Sequence, residues 1–245
     1  MSRSVHQQKR RKKTGGQSLR RPVGTSITRQ AYLQECQRLA REALAEDIGS
    51  GDVTSALFGP DARGTAWFLA KQDGVVSGME LVRAVFRELD PSARLTVRIR
   101  DGESFRKGDI LAEVKAPVRV LLSGERVALN FLQRLSGVAT MTRRFVEALG
   151  PNSSIAIVDT RKTTPLLRLV EKQAVIHGGG RNHRMRLDDM AMIKNNHIDR
   201  AGGVAEAVEA LRATGFFDRR PRIPLCIEAR TVDEALAATD AGADI

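Results

Sequence analysis

The sequence predicts an α/β protein built in two parts, a small α+β domain followed by a series of βα units with a parallel sheet. Between residues 65 and 122, short apolar runs are separated by turns of the Asp-Gly and Gly-Asp type, which is typical of an antiparallel sheet. From residue 154 onward, strand-like and helical patterns alternate, which indicates parallel strands joined by helices.

The positive charge of the chain is concentrated near its N-terminus. The formal net charge is +11, and residues 1–25 contain eight Lys or Arg and no Asp or Glu. We predict that residues 1–25 form a disordered basic tail that is solvated rather than bound to nucleic acid. The apolar runs are far shorter than the roughly 20 residues that a membrane span requires, so no membrane partner is expected.

The cysteines and histidines do not have the spacing of a metal site. Cys36 and Cys226 are far apart in the sequence, which favours free thiols and a reducing, cytoplasmic location. His177, His183 and His197 also match no usual zinc spacing. A zinc protein is therefore disfavoured.

The first domain is expected to contain two helices at its ends and a sheet between them. Residues 28–46 have helical apolar spacing, with Thr28 as the N-cap. Residues 118–122 have the composition of a strand. Residues 123–149 predict a long helix that begins at Ser123, and we place the boundary between domains 26–135 and 136–245 within it.

The second domain favours an incomplete (β/α) barrel. No Gly-x-Gly-x-x-Gly motif follows a predicted strand, which weakens a dinucleotide-binding interpretation. Another strand begins at residues 243–245, where the chain stops, so we expect a barrel that is C-terminally truncated. The predicted strands and helices alternate as 154–158, 165–177, 190–193, 203–214, 223–228 and 231–241.

Charged residues follow the predicted barrel strands at their carboxyl ends. Arg161 and Lys162 follow the first strand, Lys194 follows the second, and Glu228 ends the third. The C-terminal ends of barrel strands meet at one face, where active sites lie. Each of these charges alone could be a solvated surface group, but together they predict a pocket for an anionic substrate. One carboxylate among the cations suits a divalent metal bound with phosphates.

Several motifs together resemble the quinolinate phosphoribosyltransferase family. The resemblance covers about residues 28–245, which is the whole chain except the basic tail. The motifs are Glu46-Asp47-Ile48-Gly49-Ser50-Gly51-Asp52-Val53-Thr54, Gly124-Glu125-Arg126-Val127-Ala128-Leu129-Asn130, Leu135-Ser136-Gly137-Val138-Ala139-Thr140, Asp159-Thr160-Arg161-Lys162-Thr163-Thr164-Pro165, Glu171-Lys172, Gly178-Gly179-Gly180, Asn182-His183-Arg184 and Ile193-Lys194-Asn195-Asn196-His197.

The resemblance implies a phosphoribosyl transfer coupled to decarboxylation. Quinolinate and phosphoribosyl pyrophosphate would give nicotinate mononucleotide, pyrophosphate and carbon dioxide, with Mg²⁺ as cofactor, in the de novo synthesis of NAD. The implied fold is an N-terminal α/β sandwich domain followed by an incomplete (β/α) barrel. Family members form homodimers or higher homo-oligomers in which an arginine of one subunit enters the site of its neighbour.

Matching the motifs position by position implies roles for individual residues. Arg126 would be the arginine that enters the neighbouring site. Arg161, His183 and Arg184 would hold the two carboxylates of quinolinate. Lys162, Lys194 and Glu228 would be catalytic, with both lysines facing the ribose and pyrophosphate and Glu228 contacting ribose and metal. The full set of expected substrate-binding residues is Arg126, Thr160, Arg161, Lys162, His183, Arg184, Lys194 and Glu228.

The sequence also departs from the family pattern on the acidic side of the site. Cys226 stands where the family usually has a second glutamate, and Asn195 stands where it often has an aspartate. The family's second metal-binding aspartate and its phosphate-binding loops would follow Ile245. We therefore expect little or no turnover from this 245-residue form.

Two alternative functions remain open from the sequence. The first is a paralogous phosphoribosyltransferase of the same fold, but the pair Arg161 and Arg184 favours a dicarboxylate. The second is a truncated, non-catalytic relative whose basic tail contacts nucleic acid. Salt-sensitive binding to DNA or RNA that is lost on deletion of residues 1–24 would indicate the second alternative.

Overall fold

The computed structural model describes residues 27–151, 153–220 and 223–245. The predicted basic tail, residues 1–25, lies outside the described residues. The helices are α1 (Arg29–Ile48), α2 (Met79–Leu89), α3 (Val118–Ala148), α4 (Arg168–His177), α5 (Asn195–Ala201), α6 (Val204–Ala213), α7 (Phe216–Arg219) and α8 (Val232–Asp240). The strands are β1 (Arg63–Leu69), β2 (Gly74–Val75), β3 (Arg94–Val97), β4 (Ser104–Phe105), β5 (Ile110–Pro117), β6 (Ala191–Ile193) and β7 (Leu225–Ile227).

The N-terminal part is an antiparallel sheet covered by helices, as the alternating runs predict. Strand β5 lies between β1 and β3 and pairs antiparallel with both, while β2 and β4 form a separate two-stranded ribbon. The buried residues Val82, Val114 and Ala128 come from α2, β5 and α3 and belong to one apolar cluster. This cluster forms the core between the sheet and the helices.

Helix α3 is longer than predicted, and the prediction of a strand at residues 118–122 is wrong. The helix runs unbroken for 31 residues and passes through Gly137 without interruption. Leu121 is buried on the same helical face as Ala128, Leu132 and Leu135. The apolar run at 118–122 therefore extends the buried stripe of the helix, since spacings of three and four residues lie on one helical face.

The second part contains the parallel pairing expected of βα units. Strands β6 and β7 are parallel, with Ala191 opposite Leu225 and Ile193 opposite Ile227. Helices α5, α6 and α8 pack on these strands around a separate apolar cluster. The predicted strand at 154–158 makes a single parallel bridge, between Val158 and Arg181. Within the described ranges these strands form a mixed α/β fold and do not close into a barrel.

The two parts are joined where α4 packs on α3. Two side chains of α3 make the connection, because Arg134 binds Glu171 through two hydrogen bonds of 3.0 and 2.8 Å and Arg143 Nε donates to Gly178 O at 3.0 Å. The Oγ of Ser77 and the Nδ1 of His177 are 2.9 Å apart. Helix α4 is therefore held against the N-terminal domain along its whole length.

The first testable prediction concerns the close contact between α3 and α4. A Cβ added at Gly178 would lie 2.5 Å from Ala139 O, whereas one added at Gly137 would meet nothing within 4 Å. We expect Gly178→Ala to lower the free energy of unfolding by about 1–3 kcal/mol, because the helices must separate. Gly137→Ala should raise it by about 0.5–1 kcal/mol, because alanine favours a helix interior. Equal effects in chemical denaturation would contradict this packing.

Candidate active site

The first segment of the site follows the Val158 bridge. Thr160 and Lys162 are exposed, and the Lys162 N–H donates to Thr160 Oγ1 at 3.0 Å. Arg161 is half-buried, and its Nε is shielded from solvent without a hydrogen-bond partner among the described residues. A buried guanidinium nitrogen without a partner is costly, which indicates a place prepared for an acceptor.

The second segment contains His183 and Arg184 and lies beside the first. Arg184 is only 7% exposed, and its Nη1 donates to Met190 O at 3.4 Å. Burial and then the charge of Arg161 hold the pKa of Arg184 below its ordinary value, partly offset by Asp189. Arg161 and Arg184 also line the same cavity.

His183 is half-buried and electrostatically surrounded by cations. Burial first, and then the charges of Lys172 and Arg184, hold the pKa of His183 below its ordinary value. The imidazole is therefore neutral near pH 7 and can donate one hydrogen bond. A neutral donor beside Arg184 can orient a carboxylate without adding positive charge to the site.

A cavity of about 530 Å³ connects the two arginines to strand β6. Its lining includes Arg161, Arg184, Met192, Lys194 and His197. The cavity is large enough for a small aromatic acid, and most of its lining is apolar. Arg161, Arg184 and Lys194 therefore line one space, as expected for residues that follow neighbouring parallel strands.

Lys194 and Glu228 lie side by side at the ends of the paired strands. The distance from Lys194 Nζ to Glu228 Oε2 is 3.7 Å, and both side chains are about half exposed. Parallel pairing continues past the strands, because Glu228 N donates to Ile193 O at 2.9 Å. A loose ion pair in solvent contributes little to stability, so either group is available to a ligand.

Arg126 is not part of this cluster within one chain. It is exposed on α3 and makes no hydrogen bond or ion pair with any described residue. Arg134, which contacts Thr164 beside the site, is eight residues further along the same helix, or about 12 Å at 1.5 Å per residue.

Sequence reasoning gave no role to the buried polar residues beneath the site. Lys172 Nζ lies 2.5 Å from Asp159 Oδ1 and 3.0 Å from the carbonyl oxygens of His183 and Arg184. Asn182 Nδ2 donates to Asp159 Oδ2 at 2.6 Å. The signal available in the sequence was that Asp159, Lys172 and Asn182 all belong to the motifs that carry the family resemblance.

Family models match nearly the whole chain from residue 52 onward. "Quinolinate phosphoribosyl transferase, N-terminal domain" matches residues 52–136, and "Quinolinate phosphoribosyl transferase, C-terminal domain" matches residues 138–245. The chain belongs to the quinolinate phosphoribosyltransferase family. The two matched ranges meet inside α3, the helix that carries Arg126 and Arg134.

Relatives of known sequence and structure agree with this family. A Bacillus subtilis protein named "Probable nicotinate-nucleotide pyrophosphorylase (carboxylating)" is 42% identical over 86% of this chain and 71% of its own length. The crystal structure of NadC from Streptococcus pyogenes superposes with a TM-score of 0.81 at 39% identity, covering 90% of this chain and 75% of that one. The nicotinate-nucleotide pyrophosphorylase of Francisella tularensis gives a TM-score of 0.80 at 36% identity, covering 89% and 74%.

The plant members of the family are longer than this chain. The mitochondrial quinolinate phosphoribosyltransferase (decarboxylating) 2b of Nicotiana tabacum is 42% identical over 85% of this chain. The matched region is 58% of the length of that tobacco protein and 54% of the length of a second one. The matched region is thus little more than half the length of these plant relatives.

Three further properties of the described residues concern metal ligands, a thiol and membrane spans. Among residues 27–151, 153–220 and 223–245, no three His, Cys, Asp or Glu side chains are grouped so that they could hold a metal ion. Cys226, which the sequence places at a family glutamate, is buried on β7, and burial raises the pKa of its thiol. None of the helices in the described part is long and apolar enough to span a membrane.

The second prediction concerns a strained turn beside the candidate site. Leu166 has a φ of 66° and follows Pro165, and Leu167 N donates to Thr164 O at 3.1 Å. This geometry is that of a type II turn, which requires a positive φ at the position after proline and favours glycine there.

Leu166 is 73% exposed, so burial of its side chain offsets little of the backbone strain. We expect Leu166→Gly to raise the free energy of unfolding by about 0.5–1 kcal/mol. Leu187, which is similarly exposed and has no positive φ, provides the control, and Leu187→Gly should lower stability. Thermal unfolding in which both variants lose stability would contradict a strained backbone at Leu166.

Proposed function

We propose that this chain binds quinolinate and phosphoribosyl pyrophosphate for phosphoribosyl transfer with decarboxylation. The products would be nicotinate mononucleotide, pyrophosphate and carbon dioxide, as in de novo NAD synthesis. The observation that carries the proposal is the pair Arg161 and Arg184, which share one cavity without an ion pair to a described carboxylate. Membership of the family and the names of the relatives support the same reaction.

The two arginines and His183 would bind the dicarboxylate. Quinolinate carries carboxylates on adjacent ring carbons, and each carboxylate can accept two parallel hydrogen bonds from a guanidinium. A buried and a half-buried cation that share one cavity are both stabilised when a dianion neutralises them. Neutral His183 would add a hydrogen bond that fixes the ring plane, so that the ring nitrogen faces the ribose.

The lysines and Glu228 would act on the phosphoribosyl donor. The ring nitrogen attacks the anomeric carbon of the ribose, and the bond to the pyrophosphate oxygen breaks. Positive charge grows on the ribose and negative charge on the leaving group. Lys162 and Lys194 would stabilise the leaving pyrophosphate, the Thr160 hydroxyl would hydrogen-bond to the donor, and the Glu228 carboxylate would stabilise the ribose.

Magnesium is proposed as the cofactor, with Glu228 as its protein ligand. A single half-exposed carboxylate fits Mg²⁺, which commonly binds one or two carboxylates together with substrate phosphates. When bound, Mg²⁺ would neutralise charge on the pyrophosphate. The residues of this chain would hold the metal only together with the donor, since the described part has no cluster of three ligating side chains.

Decarboxylation would follow from the charge created by the transfer. After attack, the ring nitrogen is cationic and bonded to ribose. The bond between the neighbouring ring carbon and its carboxylate then breaks, the carboxylate leaves as carbon dioxide, and the electron pair stays on the ring carbon beside the cationic nitrogen. A proton from water completes nicotinate mononucleotide. The side chains of this site need only orient the ring for these two steps.

We further propose a homodimer or higher homo-oligomer located in the cytoplasm. Exposed Arg126, without a partner among the described residues of its own chain, is available to a neighbouring site. Cys36 and Cys226 are both buried free thiols, which supports a reducing compartment.

The third prediction tests recognition of the dicarboxylate. We expect Arg161→Ala and Arg184→Ala each to weaken quinolinate binding by about 10- to 100-fold, because a charge-assisted pair is lost. Binding is measured by isothermal titration calorimetry. Arg186, an exposed arginine paired with Asp188 in the same loop, provides the matched control. Unchanged affinity in both site variants, or equal loss in Arg186→Ala, would contradict the proposed function.

The fourth prediction tests the proposed metal ligand. Binding of phosphoribosyl pyrophosphate is titrated with and without magnesium. We expect magnesium to strengthen binding by the unmodified chain and Glu228→Gln to lose about tenfold of that gain, because an amide is a poorer ligand than a carboxylate. Asp233→Asn, at a nearby exposed acid, should behave like the unmodified chain. A full magnesium effect in Glu228→Gln would remove Glu228 from the metal site.

A further inference from the structure

Lys172 is the most completely buried charged residue that the proposed reaction does not use. Its side chain is 0% exposed, and that of Asp159 is 6% exposed. Lysine is almost never fully buried unless it is paired, because an ammonium loses much hydration energy on burial. The three acceptors of Lys172, which are Asp159 Oδ1 and the carbonyls of His183 and Arg184, match the three N–H donors of an ammonium.

Asp159 is equally well satisfied, and its bonds lead to the same loop. Its Oδ1 also accepts from His183 N at 2.9 Å, and its Oδ2 accepts from Asn182 Nδ2 at 2.6 Å. Asn182 Nδ2 in turn donates to Lys172 O at 2.9 Å. The network therefore closes on itself and joins α4, the end of the first strand-like segment, and residues 182–184.

Both arginines of the proposed dicarboxylate pocket adjoin this network. Arg161 is two residues after Asp159, and Arg184 accepts a hydrogen bond from Lys172 at its own carbonyl. The side chains of Arg161 and Arg184 line one cavity, so their separation there depends on how the backbone beneath them is held. Lys172 and Asp159 hold that backbone through their hydrogen bonds to residues 183 and 184.

We propose that Lys172 and Asp159 are positioning residues that set the separation of Arg161 and Arg184. Their function would be to give selectivity for two adjacent carboxylates over a single one. This inference rests on the proposed binding of quinolinate. Neither residue faces the substrate, and both act through the backbone of residues 159–161 and 183–184.

A purely stabilising role predicts a different response to substitution. Replacing both members of a buried ion pair by neutral residues of similar volume is often neutral or favourable for stability. The double variant Asp159→Asn with Lys172→Met removes the pair without leaving an isolated charge. It also removes the two hydrogen bonds from Lys172 to the His183 and Arg184 carbonyls, which only a positioning role makes important for ligand selectivity.

The experiment compares the affinities of quinolinate and nicotinate, which carries one carboxylate on the same ring. Calorimetry on the double variant should show quinolinate binding weakened about tenfold and nicotinate binding changed about threefold or less, because a small displacement disrupts two-point recognition most. Thermal unfolding is measured in parallel to show that the variant folds, and a lower melting temperature is expected because the His183 and Arg184 carbonyls lose their buried donor. Lys115→Met, at an exposed lysine of β5, controls for the change of lysine to methionine.

Asn182→Ala provides a second arm that keeps the ion pair. It removes the bonds to Asp159 Oδ2 and Lys172 O, and should reduce the preference for quinolinate by about threefold. If the double variant does not fold, the affinities measured for Asn182→Ala decide between a positioning role and a purely stabilising role. An unchanged ratio of the two affinities in a folded variant overturns the positioning role and leaves quinolinate binding intact. Failure of the unmodified chain to bind quinolinate overturns the proposed function together with this inference.

Discussion

A fully buried ammonium group organises the candidate active site. Lys172 extends from α4 and binds a carboxylate and two main-chain carbonyls, so that three separate stretches of chain meet at one atom. Burial of a charge is tolerated only where hydrogen bonds replace its lost hydration. The positions of Asp159 and residues 183–184 therefore depend on one another. The placement of the Arg161 and Arg184 side chains depends in turn on this network.

The N-terminal domain supports this arrangement from a distance. Arg134 of α3 holds Glu171, the residue next to Lys172, and Thr164 Oγ1 donates to the same carboxylate. Arg143 and Gly178 fix the other end of α4. The helix that carries the buried lysine is thus clamped at both ends by the long helix that crosses from one domain to the other. A change at this helix contact is therefore expected to alter the pocket.

The sequence predicted which strand ends lie together better than the buried contacts beneath them. Lys194 and Glu228 could be placed together because parallel strands bring their carboxyl ends to one edge. Residues 118–122 were misassigned because a short apolar run fits a strand or a buried helix equally well. Lys172 received no role because lysine is nearly always exposed, and only tertiary contacts show that this one is not. The predicted strand at 154–158 likewise makes only one bridge, from Val158 to Arg181, which is distant in the sequence.

Arg161 and Arg184 are proposed to form one pocket for two adjacent carboxylates, and a crystal structure of the chain with bound quinolinate would show whether they do. We expect one carboxylate within hydrogen-bonding distance, about 3 Å, of each guanidinium, and an acceptor for the Arg161 Nε. Quinolinate bound away from this cavity, or held by only one of the two arginines, would contradict it.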